Sequence, residues 1–372
     1  MKHGFLPVTC IAVLFTTLTL GLWPFRSPTN EVGRIGDKSG LRFGGHGVVL
    51  SSGAFSNMAS PSSAQASVET WLQPNRIWGS GTFLTFYSPG KPPQFSMCQS
   101  LTDLLLKAGI SGDRGQVTIA KSYVGDVFQK PQAVFITITS GLEGTNVFVN
   151  GRLVTARPRF PMIGRQITGR LVLGDATGQA DSWAGRLLGL AVYRSQLTPK
   201  QVFDNYSSWK QNGRPKITEG EHSVALYLFN EHGGRVIKEK AGGGVDLAIP
   251  EKYVVMDKIF LEPFWAEFNM SLSYWATALK NVVGFIPFGF SFYAYLATLL
   301  PARRAAFLTV ILGTATSLTI EILQAYLPTR ESGTTDLITN TLGTWIGVAS
   351  CRLLTPVLQR FFPWLPIANP RL

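Results

Sequence analysis

Four long apolar runs frame this chain, and the stretch between the first and second alternates between apolar and polar positions instead. A helix that crosses the hydrocarbon of a bilayer needs roughly 20 consecutive, mostly apolar residues. FLPVTCIAVLFTTLTLGLW (residues 5–23), VVGFIPFGFSFYAYLATLL (282–300), AAFLTVILGTATSLTIEILQAYL (305–327) and DLITNTLGTWIGVASCRLL (336–354) come up to that length. The last is the most polar, with Asp336, Thr339 and Asn340 near its start. The first predicts an uncleaved signal anchor over residues 1–25. Its apolar run is longer than a usual signal-peptide core, and the WPFRSPTN that follows offers no small-x-small cleavage site. A cleaved signal peptide is the alternative.

Residues 26–40, rich in Gly, Ser, Pro and charge, predict a linker. From 41 to 252 the texture is β-rich: HGVVLSS, ASVETWLQP, GTFLTFYS, GQVTIA, AVFITITSG, TNVFVNGRLV, GRLVLGD and GRLLGLAVYR stand between Gly, Ser, Pro and Asn breaks. Many short strands with such turns predict an antiparallel sandwich. In TNVFVNGRLV the pair Asn150-Gly151 supplies the positive-φ residues of a tight hairpin. LTPKQVFDNYSSW predicts one short helix with Thr198 as its N-cap. Residues 257–280 mix Phe264, Trp265, Phe268, Tyr274 and Trp275 with Glu262, Glu267 and Lys280. That segment is too polar to span and is expected to lie along the interface as an amphipathic piece. Three spanning helices would then fill 281–355, with a cytoplasmic tail over 356–372. The expected fold class is mixed: a helical membrane bundle of four transmembrane helices and an all-β sandwich.

With 45% hydrophobic and only 15% charged residues, the chain is neither a disordered tail nor an ordinary soluble protein. Cys10, Cys98 and Cys351 are too scattered for a zinc knuckle, and no metal site is expected. The net charge is +12. Lys and Arg concentrate before the first run, at Arg303 and Arg304, and at the end of the fourth and beyond it, at Arg352, Arg360 and Arg371. That bias puts both termini in the cytoplasm and residues 41–252 outside it, in a multi-pass membrane protein. The lipid bilayer is therefore an expected partner and nucleic acid is not.

SVETWLQP (67–74), VFVNGRLV (147–154) and WAGRLLGLAVYRSQLTPKQV (183–202) resemble the concanavalin A-like, laminin-G-type jelly-roll sandwich. ALYLFNEHGGRVIKEKAGGGVDLAIP (225–250) is similar to the phrase that often opens such domains; here it either packs back onto the sandwich or begins a degenerate repeat. The resemblance implies binding of a glycan, a cell-wall polymer or a surface protein, and some relatives hold calcium. Where many relatives carry an Asp-Glu pair, this chain has Leu188 and Gly189. Asp175 and Asp181 alone do not restore a calcium site, and no other cofactor is expected. Glycoside hydrolysis needs two carboxylates facing one cleft, roughly 5–10 Å apart. Glu69 and Glu143 are candidates, each expected instead as a solvated strand residue. The run GRLVTARPRFPMIGRQITGR holds Arg152, Arg157, Arg159, Arg165 and Arg170 without an acid. It forms either an anion-docking face or, as favoured, a solvated loop whose arginines diverge.

The apolar runs also hold polar groups. Glu321 and Gln324 share one helix face, Asp336 and Asn340 share another, Arg330 lies between them and Asn281 precedes GFIPFGF, where Pro287 and Gly289 predict a kink. A charge at bilayer depth costs at least about 2.5 kcal/mol on insertion scales, which makes the group a candidate site. Mutual hydrogen bonding between helices, with Arg330 folding back to Glu321, is the alternative. NVVGFIPFGF and SLTIEILQAYLPTRESGTTDLITNTLGTWIG are similar to the VanZ-like membrane family, matching at Asn281, Pro287, Gly289, Ser317, Glu321, Gln324, Arg330, Asp336, Asn340 and Gly343. Residues 331–335 lengthen the loop between the Arg and the Asp, which leaves their pairing open. The resemblance implies a four-span envelope protein of the bacterial cytoplasmic membrane, linked to glycopeptide-antibiotic tolerance; no reaction is carried over. The expected function is that of a non-enzymatic VanZ-like envelope protein with an exported ligand-binding sandwich. The alternative is a membrane enzyme or handler of a lipid-linked envelope precursor that uses Glu321, Arg330 and Asp336.

Overall fold

A computed structural model describes residues 5–36, 39–55, 65–111, 117–160, 166–178, 180–216, 223–243, 245–268, 270 and 272–361. The chain divides into two compact units, a helical one formed by residues 1–26 with 259–372 and a β unit over 27–258.

The helical unit opens with α1 (Phe5–Leu22). The β unit contains β1 (Val32–Arg34), β2 (Leu41–Phe43), β3 (Val49–Ser51), β4 (Ala66–Pro74), β5 (Ser80–Tyr87), β6 (Phe95–Ser100), β7 (Asp103–Ser111), β8 (Val117–Val124), β9 (Val134–Gly141), β10 (Gly144–Val149), β11 (Arg152–Arg157), β12 (Arg170–Leu173), β13 (Gly185–Tyr193), the helix α2 (Pro199–Asn212), β14 (Ser223–Tyr227), β15 (Val236–Ile237) and β16 (Leu247–Ala248). One sheet runs β1-β2-β13-β4-β9-β10-β11 with β14 also on β13; the other runs β15-β16-β3-β12-β5-β6-β7-β8. The pairings are antiparallel.

Period-2 alternation sends Leu41, Val68, Leu72, Ile136, Ile138 and Leu190 of the first sheet against Phe86, Met97, Leu104, Leu106 and Leu171 of the second. The outer face of the first sheet carries α2. Thr198 caps that helix in a full capping box with Gln201, and Gly213 ends it in the left-handed region. Val202 and Trp209 of α2 pack on Phe135, Ala191 and Tyr193. Trp209 comes so close to β13 that a Cβ on Gly189 would strike its ring. The Asn150-Gly151 hairpin turn forms with φ of 52° and 76°.

Two expectations change and one open alternative is decided. The segment 26–40 is more than a linker, because β1 within it pairs with β2 and extends the first sheet. Residues 225–250 pack back onto the sandwich: β14 joins β13, and β15 with β16 lengthens the second sheet at β3. Glu69 is not solvated; it is buried at 0% exposure on β4. β6 and β7 were not among the expected strands.

The helical unit continues with α3 (Phe264–Glu267), α4 (Leu272–Leu296), α5 (Ala302–Gln324) and α6 (Thr334–Phe361). By length and composition α1 and α5 are apolar enough to cross a membrane. Residues 272–280 do not form a separate interfacial piece: no breaker follows Leu272, so the helix begun there runs on into the apolar run as α4. α4 also continues through Pro287, and α6 passes Pro356. Gly289 has a packing role, since a Cβ there would collide with the Thr344 carbonyl; Gly343 and Gly347 likewise abut the carbonyls of Val282 and Ile286. Small residues thus bring the α4 and α6 backbones together.

Candidate functional site

The polar residues of the helical unit gather at the end where α5 stops and α6 starts. Glu321 is 1% exposed, and its Oε2 accepts the Gly333 N–H at 2.9 Å. The Ser332 hydroxyl also hydrogen-bonds this carboxyl. Asp336, in the first turn of α6, accepts from Asn281 Nδ2 of α4 at 2.7 Å. An acid at that position meets the positive end of the helix dipole. Glu267 is a third carboxylate in this neighbourhood, its Oε2 accepting the Thr335 N–H at 3.0 Å. All three lie within electrostatic reach of one another. The loop before α6 is further tied down by Glu262, whose N–H donates to the Ser332 carbonyl and whose carbonyl accepts from Thr334.

A cleft of about 800 Å³ opens beside this cluster between α1, α4, α5 and α6. Asn281, Glu321, Gln324, Asp336 and Asn340 line its polar side together with Lys280, and Val8, Ala12, Val13 and Leu20 of α1 face them. Asn340 donates from Nδ2 to the Ser317 hydroxyl at 2.9 Å. Its Oδ1 is buried without a hydrogen-bond partner among the described residues.

Gln324 and Arg330 have another task. Gln324 Nε2 donates to the Gly21 carbonyl at 2.7 Å, and the Arg330 guanidinium donates to the Trp23 carbonyl from Nε at 2.8 Å and from a terminal nitrogen. A helix leaves its last carbonyls without intrahelical partners, and these two side chains satisfy the end of α1. Arg330 therefore does not fold back as a hydrogen-bonded partner of Glu321. Sequence reasoning missed Glu267, Ser332 and Gly333, because their contacts with Thr335 and Glu321 are tertiary and no spacing signals them.

In the β unit the basic run does not converge. Arg152 and Arg157 are exposed on β11, at one end of the first sheet, and Arg170 is exposed on β12, inside the second. Arg159 is exposed beyond β11, and Arg165 lies outside the described residues. Arg157 bridges the two sheets, donating to Ser122 Oγ at 3.3 Å and the Tyr123 carbonyl at 3.1 Å. Arg152, Arg157 and Arg170 thus belong to strands and not to the expected loop.

Asp175 and Asp181 do not fit a calcium site. Asp175 is fully buried; Oδ1 accepts the N–H groups of Ala176 and Asp181 at 2.8 and 2.7 Å, and Oδ2 accepts from Ser182 at 3.2 Å and from Tyr253. Asp181 Oδ2 accepts from Thr82 at 2.6 Å. Oxygens so engaged fasten loops, and calcium wants six to eight oxygen ligands. Glu69 is held the same way, by Tyr193 Oη at 2.8 Å, Asn205 Nδ2 at 3.0 Å and Trp209 Nε1 at 3.2 Å, whereas Glu143 is exposed. The two do not share a cleft-facing arrangement suited to hydrolysis.

Comparison with known families matches residues 225–355 to VanZ/LLP1 and residues 44–203 to the concanavalin A-like lectin/glucanases superfamily. The chain thus joins a VanZ-like region and a concanavalin A-like domain in one polypeptide. No curated protein matches it. Among solved structures, a candidate carbohydrate-binding protein from Bacteroides ovatus is 13% identical, with a TM-score of 0.40 over 57% of this chain. This chain spans only 58% of that protein's length. A heptameric SAP-like pentraxin from Limulus polyphemus is 16% identical, over 60% of this chain and 93% of its own, with a TM-score of 0.34. The CBM40 of a Ruminococcus gnavus IT-sialidase, bound to α2,3-sialyllactose, is 12% identical over 45% of this chain and 95% of its own, with a TM-score of 0.32.

Proposed function

We propose that this chain is a multi-pass protein of a bacterial cell envelope whose sandwich, outside the cytoplasm, binds a glycan, a cell-wall polymer or a surface protein. In this reading α1, α4, α5 and α6 are embedded in the cytoplasmic membrane with both termini in the cytoplasm. The observation that carries it is a lectin-type sandwich covalently joined to helices with apolar outward surfaces. α1 leaves Phe5, Val8, Ile11, Phe15 and Leu20 exposed, and α5 leaves Phe307, Ile311 and Leu312 exposed. Such a surface is unfavourable in water and at home in hydrocarbon.

Protease treatment of intact spheroplasts tests the topology. Cleavage within 41–252, with a tag at the extreme amino terminus retained and protected, is the expected result; a protected sandwich refutes it. Pull-down of the detergent-solubilised full chain on cell-wall sacculi and glycan arrays tests ligand binding.

A second reading is favoured by the cleft. Carboxylates and amides that line an open cavity among apolar side chains suit the headgroup of a lipid-linked envelope precursor. Glu321 and Asp336 would then act as its polar contacts, while Arg330 is engaged at the end of α1. Glu321→Gln, followed by glycopeptide tolerance and protein abundance together, tests this reading. Reduced tolerance at unchanged abundance supports it, and unchanged tolerance removes Glu321 from any site.

A further inference from the structure

The outer face of the first sheet carries a row of polar side chains that neither the basic run nor α2 includes. Arg186 on β13 stands directly opposite Arg42 on β2 and directly opposite Gln73 on β4; Gly33 on β1 continues the row beyond Arg42. Their chain neighbours Leu41, Phe43, Leu72 and Leu187 are buried, so alternation turns Arg42, Arg186 and Gln73 outward. Gly33 has no side chain to cover the row at its end. These residues line a cleft of about 810 Å³ together with Asn75 and Glu31, and no residue of α2 takes part.

Directly opposed side chains in an antiparallel pair start about 5 Å apart, and like charges placed so are destabilising. Arg42 and Arg186 nevertheless occupy paired positions here, the Arg42 guanidinium extending over Gly33, where a Cβ would stand 4.0 Å from its terminal nitrogen. The side chains of Arg42 and Arg186 have no hydrogen-bond or ion-pair partner among the described residues. The nearby acid does not neutralise them, because Glu31 is turned to His46, accepting its N–H at 3.2 Å and lying 3.6 Å from its ring Nδ1. Across three strand spacings the row is roughly 14 Å long, the reach of a short oligosaccharide. Arginine forks pair bidentately with carboxylate or phosphate oxygens, and an amide such as Gln73 or Asn75 suits sugar hydroxyls.

We infer that the cleft at Arg42, Arg186, Gln73 and Asn75 is a binding site for an acidic polysaccharide, whose carboxylate or phosphodiester groups sit between the two arginines. The inference rests on the reading of the sandwich as a glycan-binding domain and adds both the ligand's charge and its location. Ligand binding here would offset the like charge of two residues held at paired positions.

The test uses the full chain in detergent and measures binding to polygalacturonate, to a polyglycerol phosphate polymer and to neutral dextran. The first two separate carboxylate from phosphodiester as the recognised group. Wild type is expected to bind at least one anionic polymer, and R42A/R186A to bind it roughly tenfold or more weakly. R152A/R159A, which removes the same charge elsewhere, should stay near the wild-type affinity. Equal losses in both double variants would reduce the effect to net charge and overturn the inference. Wild-type binding to dextran or sacculi alone would overturn it too while leaving the glycan reading intact; binding to none of these would sink both. Should R42A/R186A not fold, R42K/R186K decides: it keeps the charge without the fork, and unchanged affinity refutes the site.

Discussion

Glu69 offers the sharpest test of how the sandwich holds α2. It is wholly buried on β4, and its two oxygens accept from the hydroxyl of Tyr193, the amide of Asn205 and the indole of Trp209, the last two being residues of α2. A hydrogen bond to a charged group contributes about 1.5–3 kcal/mol, and a buried donor stripped of its acceptor costs about 1–3 kcal/mol. Glu69→Leu removes the acceptor of three donors at once, Asn205 keeping a bond of 3.4 Å to the Tyr193 hydroxyl, but also relieves the burial of a carboxylate, so the net loss is about 3 kcal/mol. For a unit of this size that is roughly 6–12 °C in melting temperature. Glu69→Gln keeps one acceptor for Tyr193 and Trp209 while turning an NH2 toward Asn205, and should lose about half as much. The assay is thermal unfolding of the full chain followed by tryptophan fluorescence, since Trp71 and Trp209 touch edge-on under the helix. A Glu69→Leu melt within about 2 °C of wild type would refute the clasp. Equal effects of the two substitutions would show that charge, not the number of acceptors, decides the outcome.

Gly343→Ala forces a Cβ into the Val282 carbonyl, a backbone atom that cannot swing aside, and should cost about 1–3 kcal/mol or more. Gly284→Ala on the facing helix meets nothing within 4 Å and should be tolerated, so equal thermal stability of the two variants in detergent refutes this account of α4–α6 packing. Burial, the largest influence, raises the Asp175 carboxyl above its ordinary value against the opposing hydrogen bonds from Tyr253, Asp181, Ala176 and Ser182. The folded state then binds that proton more tightly, so the contribution is full below the unfolded value near about 4 and is lost as pH rises through the folded one. Asp175→Asn should flatten this slope in urea midpoints measured from acid to neutral pH; a curve parallel to wild type argues against it. Asp246 works in the other direction. The Lys238 hydrogen bond holds its carboxyl low, so its contribution fades as pH falls, and Asp246→Asn should remove that acid-side loss. Gln324→Ala with Arg330→Ala frees the carbonyls of Gly21 and Trp23, and hydrogen exchange should quicken over residues 18–23 only.

Local rules carried much of the fold. The hairpin at Asn150-Gly151 and the Thr198 cap are short-range chemistry, readable because the residues that make each contact are adjacent or three apart. β7 was hidden because LTDLLLKAG has a helical texture locally, and only pairing with β6 and β8 draws it out as strand. The polar positions of the helical unit were visible as anomalies in apolar runs, but their partners were not. Arg330 reaches back 307 residues to Trp23, and Gln324 reaches 303 to Gly21. No spacing rule spans such separations. The Arg42, Arg186 and Gln73 row was equally invisible, since register alone makes three distant residues neighbours.

The charged groups fall into two kinds, and the difference separates scaffold from site. Glu69, beneath α2, and Asp175 are buried in the β unit with their oxygens met by protein donors; an added ligand would have to displace those bonds. Arg42 and Arg186 are open, carry like charge at paired positions and border a cleft. Asp336 stands between the kinds: Asn281 engages one of its oxygens, and the residue also lines the helical cleft. A ligand gains most where the protein has left charge uncompensated, because it replaces water and repulsion rather than internal bonds. On that ground the arginine row is the stronger binding surface of the β unit. In the helical unit, Asp336 and the unpartnered Oδ1 of Asn340 are better placed to meet a ligand than Glu321, whose carboxyl is already met by Gly333 and Ser332. Asp336→Asn should therefore change any cleft-dependent phenotype with little loss of abundance, whereas Glu321→Gln should lower abundance first; the reverse order, read by quantitative immunoblot beside the tolerance assay, would show that the buried carboxyl is the working one.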